Sequence, residues 1–221
     1  MNFEQLYAPS LKELFVQKLQ GMILSGELPM GEKLPSEREL CQQMGVSRAV
    51  VNGGITELAR QGFLEVRPRQ GAYVADYRRD GNMETLMAIM DYNGGMLGKE
   101  EIRSILEVRD ALDKLAVADI IPHVTELDNM LLLEKVEAIR QARDNRQAAE
   151  AAFAFQHELA MLSGNTLLPL IFRSFYSSVL VLWERFCALH GIDTLYQTSC
   201  RLCGHIRDKD IPGAVAWIDY C

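Results

Sequence analysis

Ser36 and Ser47, with Gly45 between them, constrain this chain more than any other feature. Glu39 lies three residues after Ser36, so the pair can form a capping box. The serine hydroxyl accepts from the backbone amide three residues on, and the glutamate reaches back to the serine amide. A helix then runs to about Met44 and ends at Gly45, a residue that adopts positive φ without strain. Ser47 caps a second helix over about Arg48 to Gln61. Helix, tight glycine turn, helix is the helix-turn-helix arrangement, whose second helix turns its first residues toward base edges in the major groove. Here those residues are Ser47, Arg48, Ala49 and, one turn on, Asn52. The pattern implies a surface that reads double-stranded DNA.

The flanking sequence extends the motif. Leu11, Leu14, Phe15, Lys18, Leu19, Met22 and Ile23 recur at helical spacing, which predicts an amphipathic helix over about Ser10 to Ser25, stopped by Gly26 and Pro29. Gly31 to Leu34 lead into the helix pair. Phe63 to Arg67 reads as a strand, Pro68-Arg69-Gln70-Gly71 as a turn and Ala72 to Ala75 as the returning strand. This makes a winged helix-turn-helix whose wing tip is Arg69-Gln70-Gly71. Tyr77 to Asn82 is polar and glycine-bearing and reads as a linker. Beyond it the spacing predicts helices over Met83–Tyr92, Lys99–Ile120, Val124–Asp144, Arg146–Leu162, Leu167–Leu189, Thr194–Arg207 and Asp210–Tyr220, punctuated by Gly94-Gly95, Gly98, Pro122, Gly164-Asn165, Gly191 and Pro212. The expected fold is mainly α: a winged helix-turn-helix with a small β-hairpin wing in residues 1–76, a linker in 77–82, and an all-α helical bundle in 83–221.

Charge is split along the chain. Residues 1–80 hold ten Lys/Arg and ten Asp/Glu, while the remainder holds 13 and 20, which accounts for the net −7. A neutral head on an acidic body that phosphates repel needs a few placed arginines rather than a broad basic field. Met1 to Ser10 shows no signal pattern, and the most apolar stretch, Leu167 to Phe186, is interrupted by Pro169, Arg173, Glu184 and Arg185. The expectation is a cytoplasmic protein with no membrane span. Five cysteines (Cys41, Cys187, Cys200, Cys203, Cys221) without secretory context read as reduced thiols. Cys200 and Cys203 form a lone C-x-x-C, either plain helix residues or a site of metal or redox chemistry. An enzyme using one of these thiols would lack a general base, since His205 is two residues from Cys203 and on another helix face. No catalytic residue is expected.

The N-terminal 75 residues resemble the GntR family of bacterial transcription regulators. The matching residues are Gly26-Glu27-Leu28, Pro29 to Leu40, Gly45-Val46-Ser47-Arg48, Leu58, Gly62-Phe63-Leu64 and Gly71 to Val74. The helical remainder is similar to the FCD effector domain of the FadR subfamily, through Leu106 to Leu112, Leu159 with Ser163-Gly164-Asn165, and Ile206 to Asp210 with Ala214. The resemblance implies a homodimer on a palindromic operator, with a small-molecule effector in the helical domain modulating DNA affinity. It implies DNA contact by Arg38, Ser47 and Arg48, and approach of the wing glycine, Gly71, to the minor groove. Arg48 can grip a guanine edge or a phosphate. The alternative reading of Arg38 is a solvated helix charge, and the motif around it favours contact.

Three departures from the family pattern shape the expectations. Asn52 and Gly53 stand where the family carries arginine and then an acid, and Gly54 follows. Two glycines cost a helix about 1 kcal/mol each relative to alanine, although Asn52 can pair with an adenine edge. Many members of this effector class bind a divalent metal through an aspartate and three histidines, whereas the corresponding positions here are Ala152, Gln156, Ser199 and Cys221. No metal and no cofactor are expected, and His157 reads as a partly exposed histidine out of register. With the chain ending at Cys221, the last helix is expected to be short and the pocket floor incomplete or shared with a partner subunit.

Candidate effector anchors are Arg103, Arg109, Asn165, Arg173, Tyr176 and Ser199. Arg109 matches a family arginine near the pocket and can hold a carboxylate or phosphate bidentately, or it can pair within the domain with Glu107, Asp110 or Asp113. The aromatic stripe Phe153, Phe155, Phe172, Phe175, Tyr176, Trp183 and Phe186 is mostly core. The function expected is a ligand-responsive repressor taking an organic acid or acyl-type effector, carboxylate or acyl-CoA. The alternatives are a constitutive DNA-binding dimer without effector response and a helical thiol enzyme.

Overall fold

The computed structural model describes residues 9–92 and 99–221 and divides into two units, Met1–Tyr92 and Asn93–Cys221. The glycines expected to punctuate 94, 95 and 98 lie outside the described residues.

In the first unit α1 (Leu11–Leu24) starts with a complete Ser10/Glu13 capping box. Next, α2 (Glu37–Met44) starts with the Ser36/Glu39 box and ends at Gly45, φ 64°. The second motif helix, α3 (Arg48–Arg60), is capped by the Ser47 hydroxyl, which accepts from the Val50 amide. Strands β1 (Leu64–Arg67) and β2 (Gly71–Val74) pair antiparallel, Leu64 opposite Val74 and Arg67 opposite Gly71. The lead-in segment adds a third, shorter rung, because the Leu34 amide donates to Ala72 and the Val74 amide to Glu32. Phe15, Leu19, Leu40, Val51, Leu58, Phe63 and Val74 close the core between these elements.

The segment expected as a linker is instead folded onto this unit. It begins with a short helix, α4 (Tyr77–Asp80), followed by α5 (Met83–Tyr92). Tyr77 packs its ring against Phe63 at 5.5 Å. The Asn82 side chain accepts from the amides of Glu84 and Thr85, and the buried Thr85 hydroxyl donates to the Gln61 carbonyl. Polar composition suggested a free segment; instead Asn82 caps α5 and donates to the Arg60 carbonyl. The first unit therefore includes α5, which the sequence pattern had grouped with the bundle.

The second unit is helical throughout its described residues: α6 (Lys99–Ile120), α7 (Glu126–Arg140), α8 (Asn145–Leu162), α9 (Leu168–Ser174), α10 (Tyr176–His190), α11 (Ile192–Arg207) and α12 (Ile211–Tyr220). The single helix expected over Leu167–Leu189 is broken at Phe175 (φ −89°, ψ 0°), whose amide bonds back three residues to Phe172 rather than four. That tighter turn lets Phe172 and Phe175 both stay buried while α9 and α10 each pack on α8. Core residues of α6, α7, α8 and α11 include Val117, Val136, Leu159 and Ile206. No described helix is long and apolar enough to cross a membrane.

Candidate functional site

Two places carry chemistry, one in each unit. In the first, all eight residues singled out for DNA contact are exposed: Arg38 on α2; Ser47, Arg48, Ala49 and Asn52 at the start of α3; Arg69, Gln70 and Gly71 at the wing tip. The Ser47 cap leaves the first amides of α3 directed at solvent, a position suited to phosphate. Arg69 adopts a left-handed conformation, φ 63°, and Gly71 has φ 109°, so the wing tip turns sharply. Behind the tip, Arg67 lies over the Tyr73 ring at 4.3 Å and pairs with Glu65 at 2.7 Å. Arg48 pairs through Nε with Glu37 at 3.1 Å. Neither of the two glycines interrupts α3. Gly54 lies where α3 crosses α1, and a Cβ there would run into the Phe15 ring.

In the second unit a cavity of about 630 Å³ opens between α6, α8, α10, α11 and α12, within the size range of small-molecule sites. Leu106, Phe155, Leu182, Trp183, Phe186 and Leu189 give it apolar walls, and Arg109, Asp113, Gln156, Thr198 and Ser199 supply polar groups. Asp113, 4% exposed, receives a hydrogen bond from the Gln156 amide at 3.2 Å. Burial pushes its carboxyl up to about 7; Arg109 opposes that shift and Asp110 adds to it. Arg109 Nε stands 3.5 Å from Asp113 Oδ2, an ion-pair distance, yet this buried nitrogen has no hydrogen-bond partner. The guanidinium also lies 5.5 Å from the Trp183 ring centroid.

Of the six residues singled out for an effector, Arg109 and Ser199 line this cavity and the other four lie elsewhere. Arg103 is exposed and paired with Glu107. Asn165 accepts from the amides of Leu167 and Leu168 at the start of α9. Arg173 lies over the Tyr176 ring at 4.4 Å, and Tyr176 packs edge-on to Phe153 at 4.7 Å. Asp113 and Gln156 join the polar group without having been singled out as anchors. The signal for Asp113 was present, an acid one helical turn past Arg109, but nothing local shows that it is buried.

Ala152, Gln156, Ser199 and Cys221, which the resemblance sets at metal-ligand positions, all line the cavity. They do not form a donor set for a metal. Ala152 has no donor atom, the Gln156 amide nitrogen is directed at Asp113, and the Ser199 hydroxyl donates to the Leu195 carbonyl of its own helix. Cys203 is no better placed for thiol chemistry, since burial, with the Cys200 charge adding, pushes its thiol up to about 12.

The sequence matches the family model of the bacterial regulatory proteins, gntR family, over residues 11–74, and that of the FCD domain over residues 104–220. The chain belongs to the GntR family. Among GntR relatives, the HTH-type transcriptional regulator Mce2R of Mycobacterium tuberculosis is 37% identical over 109 residues, 49% of this chain. This chain covers less than half of Mce2R, 45% of its length. The fatty acid metabolism regulator protein of Shewanella pealeana is 29% identical over 161 residues, 71% of this chain and 65% of that protein. The solved structure of Lar, which controls expression of the Listeria monocytogenes agr system, matches 97% of this chain and 94% of its own at TM-score 0.65 and 18% identity. That last likeness is one of fold. GntR proteins are transcriptional regulators, not enzymes.

Proposed function

We propose that this GntR-family protein is a ligand-responsive regulator, a cytoplasmic repressor that binds a palindromic double-stranded operator as a homodimer. The observation that carries the reading is the open face at the start of α3, where Ser47, Arg48, Ala49 and Asn52 stand together and exposed. A two-fold dimer matches two half-sites by geometry, so palindromy follows from symmetry. The ligand is an organic acid or acyl-type molecule whose acidic head meets Arg109 and whose apolar body lies against Phe155, Trp183 and Phe186. Support comes from the buried Arg109 Nε, which has no hydrogen-bond partner and sits in a cavity with apolar walls, and from the relative named for fatty acid metabolism. Ligand binding shifts the population between DNA-competent and DNA-incompetent dimers.

Anisotropy titration against the protein's own upstream intergenic DNA, with scrambled competitor at two salt concentrations, tests the first half. Saturable binding of one dimer per site, resistant to competitor, is expected, and Arg48→Ala should abolish the preference without unfolding the protein. Equal affinity for scrambled DNA would overturn the reading. Thermal melts with a panel of carboxylic acids and acyl-CoA thioesters test the second half. A ligand at 100 times its dissociation constant adds about 2.7 kcal/mol, and Arg109→Ala should remove that gain. A panel without any shift would favour the constitutive dimer.

A further inference from the structure

Glu37 is the first residue of α2, and its carboxylate reaches across to α3. There it meets two side chains one turn apart on the same helix face. Arg48 donates through Nε to Glu37 Oε2 at 3.1 Å. With its amide nitrogen turned toward the carboxylate, Asn52 donates to Oε1 at 2.8 Å and to Oε2 at 2.9 Å. The opposite amide orientation would set oxygen against oxygen, so the network decides it. Arg48 is 80% exposed and meets Glu37 through Nε. Among the described residues its two terminal nitrogens have no partner. Asn52, with its nitrogen committed, keeps its carbonyl oxygen.

We propose that Glu37 sets the base preference of this recognition helix, by holding Arg48 Nε and the Asn52 amide nitrogen so that the pair turns the Arg48 terminal nitrogens and the Asn52 carbonyl oxygen to the groove. The inference rests on the DNA-reading function proposed above. The terminal nitrogens of Arg48 match the O6 and N7 acceptors of guanine. An unrestrained asparagine reads adenine by donating to N7 and accepting from N6. With its nitrogen turned to Glu37, Asn52 presents its carbonyl oxygen to the groove, so it favours a base that presents an exocyclic amino group, adenine or cytosine. Residues one turn apart on a helix are separated by about 5–6 Å. At 3.4 Å per base pair, the guanine and the amino-bearing base therefore lie one to two base pairs apart. A carboxylate facing DNA also repels phosphate, so Glu37 lowers affinity for random sequence while it sharpens the choice of base. An exposed ion pair of this kind contributes little to folding, which separates its effect on DNA from any effect on the fold.

In vitro selection from a randomised duplex library, run with the unaltered 221-residue chain, Glu37→Ala and Glu37→Gln, tests the proposal. Anisotropy then compares the selected duplex with its single-base variants, and thermal melts confirm that each variant is folded. The natural chain should enrich half-sites pairing a guanine with adenine or cytosine at the second position. Glu37→Ala should narrow that second position to adenine, cut discrimination at the guanine by about tenfold and leave random-sequence affinity equal or higher. Glu37→Gln keeps the size and loses the charge, so it should fall between the two. Identical selected sites with identical discrimination in all three proteins would overturn the role of Glu37 and leave the DNA-reading function standing. No enriched site for the natural chain would overturn both.

Discussion

Gly53 and Gly54 are neighbours in α3 with opposite demands. A Cβ on Gly54 would overlap the Phe15 ring, whereas one on Gly53 would meet only the flexible Lys12 side chain, at 3.4 Å. Gly54→Ala should therefore destabilise the protein by about 1–3 kcal/mol through overpacking. Gly53→Ala should stabilise it by up to about 1 kcal/mol by restoring helix propensity. Urea melts of the two variants check both signs, and equal effects would mean that the approach of α1 to α3 is not what selects glycine. Asp113 gives a second residue-scale expectation. Its folded carboxyl titrates near 7 instead of the ordinary 3.8, so between about pH 4 and 7 the native state keeps a proton that the unfolded chain releases. Stability should fall as pH rises through that window and level off above it. The groups facing Asp113 are Arg109 and Asp110 on its own helix, Gln156 on α8 and Cys221 after α12. Asp113→Asn should flatten the profile and, at about 1.4 kcal/mol per unit, recover on the order of 2–4 kcal/mol at pH 8. An unchanged pH–stability curve in that variant would show that Asp113 is ionised and well solvated at neutral pH.

The element that most changes the sequence-based reading is the pair α4 and α5. Tyr77 to Asn82 has linker composition, yet Tyr77 packs on Phe63 and Asn82 caps α5 while its own amide nitrogen donates to the Arg60 carbonyl. Across the same junction Arg60 bridges Glu57 and Glu84. Asn82→Ala should cost about 1 kcal/mol, the usual worth of an N-cap, and should speed amide exchange in α5 more than in α3. Equal exchange in both helices would show that the cap does not anchor the segment. The wing is a simpler element. Its tip residue Arg69 is exposed and is expected to touch phosphate rather than a base. Arg69→Ala should weaken binding alike on all sequences and lower the salt slope by about 1, leaving the selected site unchanged.

At the scale of the whole molecule, the neutral N-terminal part and the acidic remainder divide the work expected of a regulator. Ala152, Gln156, Ser199 and Cys221, which the resemblance sets at metal-ligand positions, line the cavity with Arg109 and Asp113 without making a donor set, so a chelator should leave both melting temperature and DNA affinity unchanged. A drop reversed by added divalent metal would contradict that donor-set argument.

Short-range chemistry alone determined the helix-turn-helix, its caps at Ser36 and Ser47, the wing and the helical remainder, because a capping box or a glycine at positive φ is decided within a few residues. The break at Phe175 was not legible, since the sequence there continues a helical apolar pattern and only packing against α8 favours the tighter turn. Likewise the cavity separates Arg109 and Ser199 from Arg103, Asn165, Arg173 and Tyr176, all equally plausible by residue type. Which arginine keeps a buried Nε without a hydrogen bond depends on where five helices meet. Glu37 makes the same point inside the motif that was read most easily. Its place in the sequence marks a helix start. Only the packing of α2 on α3 brings its carboxylate to Arg48 and Asn52, because hydrogen bonds act over about 3 Å and the residues they join are eleven and more apart in the chain.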